Sequence, residues 1–91
     1  MITKEMIRKG VLQSVIQFMP GPNGHDTICR IGDYWLYFGG QEAETMSPAE
    51  YLTSISFDDL VNEVFDAIDS IYRLDECEYE YYYHFIKENT K

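Results

Sequence analysis

Two histidines and two cysteines are the residues here that could hold a metal, and His25, Cys29, Cys77 and His84 would together make the four-ligand set that tetrahedral zinc takes. The spacing argues against it. No pair matches a ligand spacing such as C-x2-C, and Cys29 falls where strand alternation turns it into the core. We expect a core thiol, two ordinary histidines, no metal and no other cofactor. Acid–base catalysis needs a base held beside an orienting partner in a cleft. His25-Asp26, after Gly24, is the single candidate dyad, and adjacent residues in an extended chain point apart. A non-enzymatic chain is therefore expected, with a small enzyme using His25 third among the readings. Gly39-Gly40 is followed by Gln41-Glu42, whose charge opposes a bound phosphate.

Two other sets of residues carry recognition chemistry. Tyr79, Tyr81, Tyr82 and Tyr83 lie within five residues, too many for one buried stripe. At least two of them, Tyr81 and a neighbour, are expected to be exposed, because tyrosine offers rigid contact area at low entropic cost. Glu76, Glu78 and Glu80 surround these rings and oppose base stacking in a nucleic acid. The second set is Asp58, Asp59, Glu63, Asp66 and Asp69. A twelve-residue stretch of helix, about 16 Å from first to last at 1.5 Å per residue, would carry all five. That is roughly one charge per 4 Å, close to the spacing of phosphates along a single DNA strand. The same strip also fits a solvated helix face that serves only solubility.

Charge distribution favours attention to that strip. The chain has 91 residues and a net charge of −9, enough for one small domain with a single core. Residues 1–41 hold three acids and four bases, whereas residues 42–80 hold twelve acids and one base, Arg73. Such a surface repels phosphates, so no direct nucleic acid binding is expected, and it steers basic partners over about 10 Å. The start, MITKEMIRKG, lacks the apolar run of a signal peptide, and no run is long enough for a membrane span. A cytoplasmic protein with no membrane partner is the expectation. With only two cysteines, reduced thiols are the default, and a Cys29–Cys77 bridge stays open.

The elements that must position these groups follow from periodicity. In SFDDLVNEVFDAIDSIYR, residues 56–73, Phe57, Leu60, Val61, Val64, Phe65, Ile68, Ile71 and Tyr72 recur at helical spacing and the acids take the opposite face. Ser56 caps this helix, and Asp58 and Asp59 suit its dipole. Upstream, Thr3 to Lys9 reads as a short helix stopped by Gly10, with Met6, Ile7 and Leu12 inward. Val11 to Phe18 reads as a strand, and MPGPNGHD as a loop.

TICRI and YWLYF flank Gly32-Asp33 as a two-residue hairpin. Its register pairs Ile31 with Tyr34, Cys29 with Leu36 and Thr27 with Phe38 on the core face. Arg30 then lies opposite Trp35, as a cation–π pair, and Ile28 opposite Tyr37 on the other face. Ser47-Pro48-Ala49-Glu50 opens a helix to Ser54. The tail alternates like a strand at Cys77, Tyr79, Tyr81, Tyr83 and Phe85, and fits a helical stripe at Tyr79, Tyr82, Tyr83 and Ile86. We read a helix, because only about three residues remain for the connection. The fold class is α+β: a three-stranded antiparallel sheet packed against a long amphipathic helix with shorter flanking helices, in the order α-β-β-β-α-α-α.

In size, acidity and element order, with EAETMSPAEYLTSISFDDLVNEVF as its helical half, the chain resembles small acidic proteins of phages and conjugative elements. Some of these inhibit restriction or CRISPR nucleases by occupying a nucleic acid site. The resemblance implies a partner-binding inhibitor. The leading expectation is thus a non-enzymatic module whose acidic face (Asp58, Asp59, Glu63, Asp66, Asp69, extended by Glu76, Glu78 and Glu80) docks on a basic protein surface, with exposed tyrosines as short-range contacts. The alternative is a structural protein that forms a homodimer through the sheet face of Ile28, Arg30, Trp35 and Tyr37.

Overall fold

The computed structural model describes Met1 to Lys91. Its elements are α1 (Lys4–Leu12), β1 (Ile16–Pro20), β2 (Thr27–Ile31), β3 (Tyr34–Tyr37), α2 (Gly40–Thr45), α3 (Pro48–Ser54), α4 (Phe57–Leu74) and α5 (Glu76–Asn89). The expected α-β-β-β-α-α-α order is present, with the six-residue α2 as one further helix. The sheet is antiparallel with strand order β1-β2-β3.

The first helix is longer than the sequence implied. Thr3 accepts from the Met6 amide as its cap, but Gly10 does not end it. Gly10 is buried inside α1, where a Cβ would lie 2.8 Å from Ile16 Cδ1; the glycine lets the first strand approach the helix. The true stop is Ser14, which takes a left-handed φ of 59°. Around it the Val15 amide donates to the Gly10 carbonyl at 2.8 Å and the Ser14 amide to the Val11 carbonyl at 3.2 Å. This paired arrangement closes a helix C-terminus and is usually built on glycine, so a serine there gave no signal. Val11 and Leu12 therefore belong to the helix, and β1 starts only at Ile16. Leu12, expected inward, lies at the exposed C-terminal end of α1 with 68% of its surface accessible.

The hairpin register is as expected: Ile31↔Tyr34, Arg30↔Trp35, Cys29↔Leu36 and Ile28↔Tyr37. The ladder ends one pair short of Thr27 and Phe38, and the Thr27 side chain donates its hydroxyl to the Met46 carbonyl at 2.9 Å. Gly32 has a φ of 63° at the first turn position, as a glycine-led hairpin turn requires. β1 extends the sheet by pairing Ile16↔Ile31 through Pro20↔Thr27, so Met19 and Pro20 are strand rather than loop.

Helix α4 keeps its two-sided character. Leu60, Val61, Val64 and Ile68 are buried, Phe57, Phe65 and Ile71 pack at the margin, and Tyr72 is exposed. The helix lies most extensively along α5 and α1, and its buried residues share one core with Cys29, Ile31 and Leu36 of the sheet. The tail is helical. Asp75 accepts from the Glu78 amide at 3.1 Å, and Tyr79, Tyr82 and Ile86 form the buried stripe. Tyr79 also accepts from the Ile2 amide at 2.8 Å, tying the N-terminal segment to α5.

The turn glycines separate conformational strain from packing. At Gly24 (φ 75°) a Cβ would meet nothing within 4 Å, whereas at Gly32 it would strike the Tyr81 hydroxyl and ring. Gly24→Ala should cost about 1 kcal/mol for its left-handed backbone alone. Gly32→Ala should cost roughly 1–3 kcal/mol more, since Tyr81 must also leave its site. Urea denaturation of the two variants checks the difference.

Candidate functional site: an acidic helical surface

The site residues sit on a helix whose N-terminus is well fixed. Ser56 accepts from the Asp59 amide at 3.2 Å, and the first turn carries Asp58 and Asp59. At about 100° per residue, Asp58, Asp59, Glu63, Asp66 and Asp69 fall within an arc of roughly 140°. Asp58, Asp59 and Asp66 are exposed, and Glu63 and Asp69 are half-buried. Arg73 lies at the last turn of the same helix and forms no ion pair.

Few cations answer these acids. The molecule has three ion pairs: Arg8 with Glu5 at 3.6 Å, Arg8 with Asp58 at 3.0 Å, and His84 with Glu80 at 3.6 Å, the last only when the imidazole is protonated. Asp58 is thus partly neutralised by α1, where the Arg8 guanidinium also lies 5.6 Å over the Phe57 ring. Asp59, Glu63, Asp66 and Asp69 have no cationic partner. Glu76 and Glu80 are exposed on α5, but Glu78 is half-buried and accepts from the Tyr82 hydroxyl at 2.7 Å. It braces the core and is not free charge for a partner.

Sequence reasoning missed one contributor, Glu42. The Tyr51 hydroxyl is buried without a protein hydrogen-bond partner. Its pKa is pushed up to about 12, first by burial and then by the negative fields of Glu63, Glu42 and Asp59. Glu42 of α2 therefore shares an electrostatic neighbourhood with the first two turns of α4. The six-residue α2 is too short to show a hydrophobic period, which is why QEAET gave no face to assign.

The tyrosines are placed differently from expectation. Tyr79 and Tyr82 are buried and Tyr81 and Tyr83 half-buried, so none of the four is an exposed contact. Burial holds the Tyr82 phenol well above its usual pKa, with the hydrogen bond to Glu78 adding to it. Tyr81 accepts from the Asp33 amide at 2.9 Å and sets its ring edge-on to Tyr34 at 4.7 Å, pinning the hairpin turn to α5. Tyr83 lies beneath the Lys87 ammonium at 5.5 Å. The helix accommodates so many rings because two go inward and two cover its flanks, an option that a one-stripe count overlooked.

The exposed aromatics are instead Tyr34, Trp35 and Tyr37 on the hairpin and Tyr72 on α4. Trp35 packs edge-on to Tyr37 at 5.4 Å, and Arg30 Nε donates to the Gly32 carbonyl at 3.1 Å. The expected cation–π contact between Arg30 and Trp35 does not form, because the turn carbonyl captures the guanidinium. Ile28, assigned to this outer face, is only 4% exposed, lying between its strand partners Met19 and Tyr37. It cannot serve as a contact residue there.

The histidine and cysteine candidates do not converge. Cys29 is in the core and Cys77 is exposed, both as free thiols. His25 is exposed in the loop while the Asp26 side chain is buried against Gly21, and the two form no ion pair. No helix is long and apolar enough to cross a membrane. No protein-family model, curated protein or solved structure matches the chain.

Burial separates the two thiols chemically. It pushes Cys29 from 9.0 up to about 12. The folded state thus holds this proton where the unfolded state releases it, so the associated stability is complete below pH 9 and is lost as pH rises from 9 toward 12. Over that window Cys29 should contribute a fall of about 1.4 kcal/mol per pH unit, absent in Cys29→Ala. A thiol reagent should label only Cys77 in the native protein and both cysteines in denaturant.

Proposed function

We propose that this protein is a non-enzymatic binding module whose acidic surface docks on a basic protein surface, one that otherwise holds nucleic acid. The observation that supports this most is the absence of cationic partners for Asp59, Glu63, Asp66 and Asp69 on a single rigid helix. A helix face serving only solubility ordinarily mixes both signs, and i,i+4 lysines would stabilise it. Here like charges lie at positions 59, 63, 66 and 69, each about one turn apart, and Glu42 extends the negative field beyond α4. The acids are held at roughly phosphate spacing by a backbone that does not need to fold on binding, which spares the ordering entropy of a flexible acidic tail.

The contact set differs from the one drawn from sequence. Asp59, Glu63, Asp66 and Asp69 form its centre, with Glu42 alongside and Glu76 and Glu80 at its margin. Asp58 contributes less because Arg8 holds it, and Glu78 and the four tail tyrosines serve the fold. Such an interface depends on charge for its association rate and its specificity.

The test is capture from the source cell on the immobilised chain at low ionic strength, followed by a salt gradient. The captured protein should elute well below ~0.5 M salt, where the Debye length falls to a few ångströms. It should also be displaced by double-stranded DNA or RNA. Asp59→Lys with Glu63→Lys should abolish capture while leaving the helical circular dichroism intact. A partner that survives high salt, or that the double reversal still retains, would contradict the proposal.

A further inference from the structure

The two edges of the sheet are unequal. β1 ends in Pro20, which cannot donate, and α1 and α3 pack on that strand. β3, Tyr34–Tyr37, has β2 on one side and no strand on the other. Its four-residue length is its one protection, for it contains no proline, no lysine and no bulge against β2.

The hairpin fixes which backbone groups face that open side. In a two-residue turn the flanking pair, Ile31 and Tyr34, is hydrogen-bonded across the strands. Alternation then makes Cys29↔Leu36 the next bonded pair, and leaves Trp35 and Tyr37 in the non-bonded positions. The amide and carbonyl groups of Trp35 and Tyr37 therefore point away from β2. No backbone hydrogen bond outside the helices and strands reaches them.

The geometry points to a second copy of this chain as the occupant, paired antiparallel through β3 about a two-fold axis at Leu36. Antiparallel partners must share a face, so a self-pairing centred on Leu36 sets Trp35 opposite Tyr37 of the second copy, and Tyr37 opposite its Trp35. This register aligns the outward-pointing groups. Each Trp35–Tyr37 pair exchanges two bonds, and the symmetry gives four. On the outer face it joins the exposed Trp35 and Tyr37 rings, 48% and 57% accessible, into one aromatic strip across the axis.

Charge selects the same edge for self-association. Thr27 to Phe38 contains one base, Arg30, and one acid, Asp33, so the net charge of −9 resides entirely outside the hairpin. Two copies repel least when they meet there. A four-residue strand buries less than the standard interface, so the pairing is a weak, concentration-dependent dimer. It uses a surface separate from α4 and does not depend on the acidic face.

Sedimentation equilibrium over a range of protein concentration, with amide hydrogen exchange at each, tests this. The mass should approach that of two chains at high concentration. Protection of the Trp35 and Tyr37 amides should rise in step, while that of Leu36, already bonded to Cys29, stays constant. Tyr37→Lys should lose the dimer with unchanged circular dichroism. Arg30→Glu, one strand in from the edge, should keep it. A chain that remains monomeric at every concentration would overturn the proposal. So would a dimer lost in Arg30→Glu with no added protection at Trp35 and Tyr37, which would mean stacking of sheet faces. Protection of those amides only on adding another protein would also overturn it, by giving the edge a different occupant.

Discussion

One constraint governs this molecule: α4 must bury one side and leave the other in water. Leu60, Val61, Val64 and Ile68 are its buried residues. At roughly 1.5–3 kcal/mol for each fully buried apolar side chain, they supply a sum of the same order as the whole stability of a small domain. Against them stand the repulsions of Asp59 with Glu63, Glu63 with Asp66, and Asp66 with Asp69, each worth about 0.2–0.5 kcal/mol on a helix surface. The apolar side wins by a wide margin. The helix can therefore carry an unbalanced acidic face without losing its place, and α1 and α5 hold it there.

That surplus also explains how the rest of the chain is arranged. α1 supplies Arg8, which reaches Asp58 and Phe57 and anchors the first turn of α4. α5 turns Tyr79 and Tyr82 inward and uses the Tyr81 hydroxyl to hold the hairpin turn at Asp33. The hairpin is thereby fixed to the helical layer at its turn, while its far edge has no neighbouring strand. Two surfaces of unlike character result: a charged one on α4 that favours a partner of opposite sign, and a neutral aromatic edge on β3.

Much of this was legible from pattern alone. The period of residues 57–72 and the Gly32-Asp33 turn between aromatic and β-branched runs specified the long helix and the hairpin with its register, because both signals are local and repeated. Where the reading failed, the deciding interaction was singular or distant in sequence. Nothing local marks Ser14 as a left-handed helix stop, and Gly10 looked like one because its role, making room for Ile16, needs the strand in place. The tyrosine run could not be sorted into core and flank without Asp33 and Ile2, forty-eight and seventy-seven residues from their partners Tyr81 and Tyr79. Trp35 was left without Arg30 because a turn carbonyl two residues along competed for the guanidinium. The composition of the acidic surface was plain from sequence, but Glu42 joins it only through the packing of α2 near Tyr51.

The most direct measurement of the central claim is folding stability against salt, by urea denaturation at neutral pH in rising sodium chloride. If the acids of α4 face outward without cations, screening relieves their mutual repulsion. The urea midpoint should then rise from low ionic strength to ~0.5 M with an unchanged slope. A midpoint that falls over that range would show that attractive ion pairs dominate, and that the acidic face is already neutralised within the fold.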